Sequence, residues 1–125
     1  MDVVVEHFVG TCRTDSPDML AEAMNERDAR GLNEFTVSAG AEYPYMTVLV
    51  NRTSACVHYF PADGHPGYAS SGHGGDVESF AAGSPGEMIQ VDGDAIVSCE
   101  DAIEAVLEFQ RLGGGMPRSL TWREL

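Results

Sequence analysis

The stretch Tyr45-Met46-Thr47-Val48-Leu49-Val50-Asn51-Arg52-Thr53-Ser54-Ala55-Cys56-Val57-His58-Tyr59-Phe60 decides the fold. Met46, Val48 and Val50 alternate with Tyr45, Thr47 and Leu49, a period of two that belongs to a strand. Ala55 to Phe60 reads as another strand. The turn Asn51-Arg52-Thr53 between the two is so short that it allows only an antiparallel neighbour. Upstream, Phe35, Val37 and Ala39 alternate with Glu34, Thr36 and Ser38 and add a third strand. A meander therefore forms the centre of the chain.

Working outward, Val3 to Val9 is β-branched and aromatic up to Gly10, and reads as a first strand. Ser16-Pro17-Asp18 supplies a capping hydroxyl, a proline for the first helical position and a first-turn carboxylate. With Leu20, Ala23, Met24 and Arg27 on one face and Gly31 as the stop, these predict a helix over about 17–30. After Phe60 comes a segment, 61–75, with five glycines, two prolines and two histidines, which predicts a loop with one short strand at 67–71. Short strands are expected at 77–80 and 88–91. Ser98-Cys99-Glu100-Asp101 is a capping box ahead of Ala102, Ile103, Val106 and Phe109, so a second helix is expected over about 99–112, ended by Gly113. A glycine-rich link and Pro117 then lead to a strand-like tail, Leu120-Thr121-Trp122, with Trp122 a plug for that helix. The expectation is one α+β domain over 1–125, a mainly antiparallel sheet flanked by two helices. Strand 45–50, mostly apolar, is a candidate for an unprotected edge open to assembly.

The charge is lopsided. Twenty acids face seven basic residues, all arginine, for a net charge of −13. Between Arg52 and Arg111 there is no basic residue, yet ten acids lie there: Asp63, Asp76, Glu78, Glu87, Asp92, Asp94, Glu100, Asp101, Glu104 and Glu108. Such a surface repels phosphate backbones and anionic lipid, which argues against nucleic acid and membranes as partners and for a basic protein. The bland alternative is a solvated acidic face that serves solubility. No apolar run approaches the roughly 20 residues of a membrane-spanning helix, and Met1-Asp2-Val3 lacks the basic start of a secretory leader, so a cytoplasmic address is expected. The odd set Cys12, Cys56 and Cys99 fits reduced, mostly buried thiols.

No catalytic group assembles from the sequence. His58, Asp63, His65, His73 and Asp76 gather within 19 residues and carry the donor types of a zinc or iron site, but their spacing matches no metal signature. A small metal-binding or hydrolytic domain built on that cluster is the alternative reading. Cys99, in the first turn of a helix, has acids at 100 and 101 opposing thiolate formation and reads as structural. Gly72-His73-Gly74-Gly75 precedes a strand and lacks a lysine, so it is not a phosphate loop. Neither a cofactor nor a metal is expected.

Two blocks carry a resemblance. Val97-Ser98-Cys99-Glu100 through Pro117-Arg118-Ser119-Leu120-Thr121-Trp122-Arg123-Glu124-Leu125, a capped helix, a linker, a proline and an apolar residue near a tryptophan, resembles the end of the first immunity-protein family of bacterial polymorphic toxin systems. Val57-His58-Tyr59-Phe60-Pro61 with Gly67-Tyr68-Ala69-Ser70-Ser71-Gly72 is similar to that family's central strand and glycine-rich turn. Members of the family include inhibitors of deaminase toxins. The resemblance implies a non-catalytic antitoxin that docks on a cognate, basic toxin domain and blocks its active site; it leaves self-association open. For the contact surface, the loop after the central strand offers aromatic anchors within an acidic rim: Tyr59, Phe60, Asp63, His65, Tyr68, Asp76 and Glu78. The competing surface is the second helix, through Glu100, Glu104 and Glu108.

Overall fold

A computed structural model describes all of residues 1–125. The meander forms as expected: β3 (Leu32–Ser38), β4 (Tyr45–Asn51) and β5 (Ser54–Phe60) pair antiparallel along their full lengths, with Asn51 opposite Ser54 across the Arg52-Thr53 turn. On the β3 side lie β1 (Val3–His7) and then β2 (Gly10–Thr14), a hairpin partner the sequence reading does not contain. On the β5 side lie β6 (Tyr68–Ser70) and, outermost, β10 (Trp122–Glu124). Strand β4 is thus interior, between β3 and β5, and the expectation that 45–50 forms an open edge is corrected by that pairing. A separate two-stranded ribbon joins β7 (Glu78–Ala81) to β8 (Met88–Val91).

One face of the sheet carries the core. Val3, Val5, Phe35, Val37, Met46, Val48, Val50, Ala55, Val57 and Tyr59 meet Leu20 and Met24 from α1 (Pro17–Ala23) and its end, and Ala102, Ala105, Val106 and Phe109 from α2 (Cys99–Arg111). Ser98 caps α2 by accepting from Asp101 N at 3.0 Å, as its sequence requires. Trp122 packs on this core, its ring 6.2 Å from that of Tyr59 and its indole N–H donating to Pro117 O at 2.7 Å.

The first helix is a correction: it ends at Ala23 rather than near residue 30. The Asp28 carboxylate accepts from the N–H groups of Arg30 and Leu32 at 2.8 and 3.0 Å, building a tight local turn that competes with helix continuation. Those hydrogen bonds, the one to Leu32 foremost, hold the Asp28 carboxyl below its ordinary range. Neither helix is long and apolar enough to cross a membrane.

The outer edge of β5 has two occupants. β6 pairs with His58 and Tyr59, while β9 (Ile96–Ser98) pairs with Ser54, Ala55 and Cys56. Between them Val57 N–H would be orphaned; instead it donates to Ser70 Oγ at 3.0 Å, and the Ser70 hydroxyl donates to Ala95 O at 2.7 Å. The chain leaves this seam through Gly72, where an added Cβ would stand 1.9 Å from Ile96 O. Gly72 therefore serves a backbone crossing.

Two substitutions test the seam. Ser70→Ala leaves two buried backbone groups unpaired and should lower the unfolding free energy by about 2–4 kcal/mol, read as a shifted urea midpoint with unchanged slope. Gly72→Ala should cost more, because backbone rather than a side chain must move. Equal stability of Ser70→Ala and wild type would refute this account.

Candidate functional site

The second face of the sheet is reached by the other half of each alternation. Its cross-strand rows follow from the register: Arg13, Val4, Ser38, Tyr45 and Phe60 in one, then Thr11, Glu6, Thr36, Thr47, His58, Ala69 and Arg123, then Glu34, Leu49, Cys56 and Ile96. The third row is roofed by Phe80 of the ribbon and by Ala95 in the turn that follows it, which close over Leu49 and Cys56. Asn51 Nδ2 donates to Ser79 O at 2.8 Å and Gly83 N donates to Glu34 Oε1 at 3.1 Å, holding the ribbon down. In the first two rows only Ala69 is fully buried; the other side chains are half-buried or exposed.

On that open area four rings form a run. Tyr43 and Tyr45 lie 5.3 Å apart, Tyr45 stacks on Phe60 at 4.8 Å, and His58 stacks near Phe60 at 6.1 Å. All four are half-buried. Gly67, at φ +92, passes beneath the Phe60 ring, where a Cβ would meet ring carbon at 2.6 Å; only glycine fits this approach. Glu42 and Asp63 are exposed beside the run. Glu42 lines a shallow dent together with Thr36, Ser38, Tyr43 and Tyr45; burial, then Tyr45, Asp63 and Glu42, raises the Tyr43 phenol above its ordinary pKa.

The structure divides the seven residues expected at the contact surface. Phe60 and Asp63 belong to the open face. His65 and Tyr68 sit at the β6 edge, with rings 5.2 Å apart and His65 Nε2 4.0 Å from the Glu124 carboxylate. Tyr59 is in the core, 6% exposed, its hydroxyl donating to Gly114 O at 2.9 Å, so burial removes it from any docking surface. Asp76 and Glu78 lie past the Gly72 crossing, toward the Ser54 end of β5, where Glu78 shares a dent with Arg30, Asn51 and Ser54. The length of β5, about 20 Å at the usual rise, separates that end from Phe60. The same crossing scatters His58, Asp63, His65, His73 and Asp76, and no three His, Cys, Asp or Glu side chains converge as a metal site would require. On α2, Glu100 and Glu104 are exposed, whereas Glu108 turns inward and accepts from Arg118 N, with Arg111 3.9 Å away.

Sequence reasoning passed over Tyr43, Tyr45 and Glu42. The signal was present: Tyr45 and Phe60 fall on the half of the alternation opposite the core, where a solvated face would carry polar residues. The cysteines are structural in their surroundings. Burial pushes the Cys56 thiol up to about 11. Burial also raises the Cys99 thiol, whose sulfur lies 3.3 Å from both Arg52 O and Ser54 O, so that its single S–H is shared between them and ties α2 to the turn between β4 and β5.

Fold and surface together define a small α+β protein whose sheet carries a run of rings on the face opposite its core. No family model matches the chain. It is 29% identical, over 127 aligned positions spanning 96% of this chain and 98% of its counterpart, to the double-stranded DNA deaminase immunity protein of Burkholderia cenocepacia (strain H111). The resemblance to an immunity-protein family for deaminase toxins, drawn above from two blocks, is supported by this relative along nearly the whole chain.

His58 gives this face a pH signature. Burial, with Arg123 adding to it, lowers the imidazole pKa below its ordinary 6.5. The unfolded chain therefore binds a proton that the folded chain refuses, and stability from this group falls as pH drops below 6.5, levelling off below the folded value. His58→Gln should lose less stability than wild type between pH 7.5 and 5.5, compared by urea midpoints; identical losses would exclude His58 as the source.

Proposed function

We propose that this chain is an immunity protein, a non-catalytic antitoxin of a bacterial polymorphic toxin system. It binds a cognate nucleic-acid deaminase toxin in the cytoplasm and blocks its active site through an acidic surface. The observation that carries this reading is the near-full-length likeness to the double-stranded DNA deaminase immunity protein. Electrostatics supports it independently. A deaminase that takes a base from a strand holds that strand in a positively charged groove, and a chain of net charge −13 with no basic residue between 52 and 111 complements such a groove. The same charge turns the chain away from nucleic acid itself. A standard interface, roughly 1,600 Å² in total, is within the capacity of one sheet face.

The test is co-expression with the toxin encoded by the adjoining reading frame, together with a deamination assay on the purified pair. Growth should be rescued, deamination should cease near one equivalent of this protein, and association should slow as salt is raised. Continued killing despite soluble expression would reject the reading.

A further inference from the structure

The acidic character does not say which face meets the toxin, and three surfaces compete. The outward side of α2 offers Glu100, Asp101 and Glu104, charge without an apolar centre. The ribbon exposes Met88 and Ile89, 46% and 43%, but the ring opposite Ile89, Phe80, is fully buried and offers no aromatic surface there. The open sheet face alone combines a run of four half-buried rings with exposed carboxylates at its rim.

Resting on the function proposed above, we infer that the open sheet face seats in the nucleic-acid groove of the toxin, with Tyr43, Tyr45, Phe60 and His58 taking positions where bases would stack and Glu42 and Asp63 taking positions of phosphates. A single strand in a deaminase groove presents flat rings next to negative charge; aromatic and guanidinium planes receive the rings and basic side chains receive the phosphates. Rings 4.8 to 6.1 Å apart with two carboxylates alongside present the same chemistry on a protein. The rings are held before binding, Tyr45 stacked on Phe60 and Phe60 seated over Gly67, so little side-chain freedom remains to be lost in the complex. Tyrosine is also a residue type in which binding energy concentrates. The occupant is thus a basic, base-binding protein groove. Arg123, in the His58 row, and Arg13, in the Tyr45 row, bound the acidic rim at the two sheet margins.

The experiment measures binding of full-length variants to the catalytically inactivated toxin domain from the adjoining reading frame, with a fluorescent double-stranded DNA oligonucleotide, first shown to bind that domain, as competitor. Wild type should displace the oligonucleotide. Tyr45→Ala, and separately the pair Glu42→Gln with Asp63→Asn, should each weaken binding at least about tenfold, while Glu100→Arg with Glu104→Arg changes it by less than about threefold. The carboxylate pair is exposed and does not threaten folding, so it decides the matter if Tyr45→Ala proves unstable. Wild type that fails to bind the toxin overturns the immunity reading, and this inference with it. Wild type that binds while the face variants bind equally well, or while the oligonucleotide remains in the groove, overturns this inference alone. A free protein that is dimeric and becomes monomeric on Tyr45→Ala assigns the face to a second copy and likewise overturns it.

Discussion

The architecture depends on one hydroxyl. Because β6 and β9 share a single edge of β5, a ladder position falls between them, and Ser70 Oγ fills it by accepting from Val57 N–H and donating to Ala95 O. A buried backbone donor without a partner costs about as much as a lost hydrogen bond, so the seam holds only if a short side chain with both a donor and an acceptor stands there. The same residue joins three parts distant in sequence: the central strand, the glycine-rich segment after it and the approach to α2. The core helix is thereby set over the sheet, and the ring-bearing face is left on the opposite side.

What could be read from the chain beforehand divides along the range of the interactions involved. The α2 boundaries were legible because Ser98 and Gly113 act within a few residues of themselves. The meander was legible because alternation and a short turn specify pairing locally. β9 was not legible: its three residues pair with positions some forty residues earlier, and nothing in Ile96-Val97-Ser98 declares that partner. The overlong first helix has a local cause of another kind, since Asp28 resembles any helix carboxylate in sequence and acts as a turn-forming acceptor in space.

The candidate surface was half visible. Phe60 and Asp63 emerged from an aromatic and acidic loop, but Asp76 and Glu78 were grouped with them by proximity in sequence, which the Gly72 crossing undoes. Tyr43 and Tyr45 were passed over because an aromatic residue in a strand satisfies strand preference, and only the register shows which face it occupies. Net charge is legible in the sequence; placement of the rings required the fold.

The layout of the sheet margins has a consequence for behaviour at high concentration. A protein that leaves aromatic rings uncovered invites self-adhesion, and long open strands would compound it by templating further strands. Here the margins are β10, three residues that include Arg123 and Glu124, and β2, five residues that begin at a glycine. Short, charged borders of this kind resist polymerisation, so a half-covered run of rings can stand on the sheet without its margins recruiting further strands.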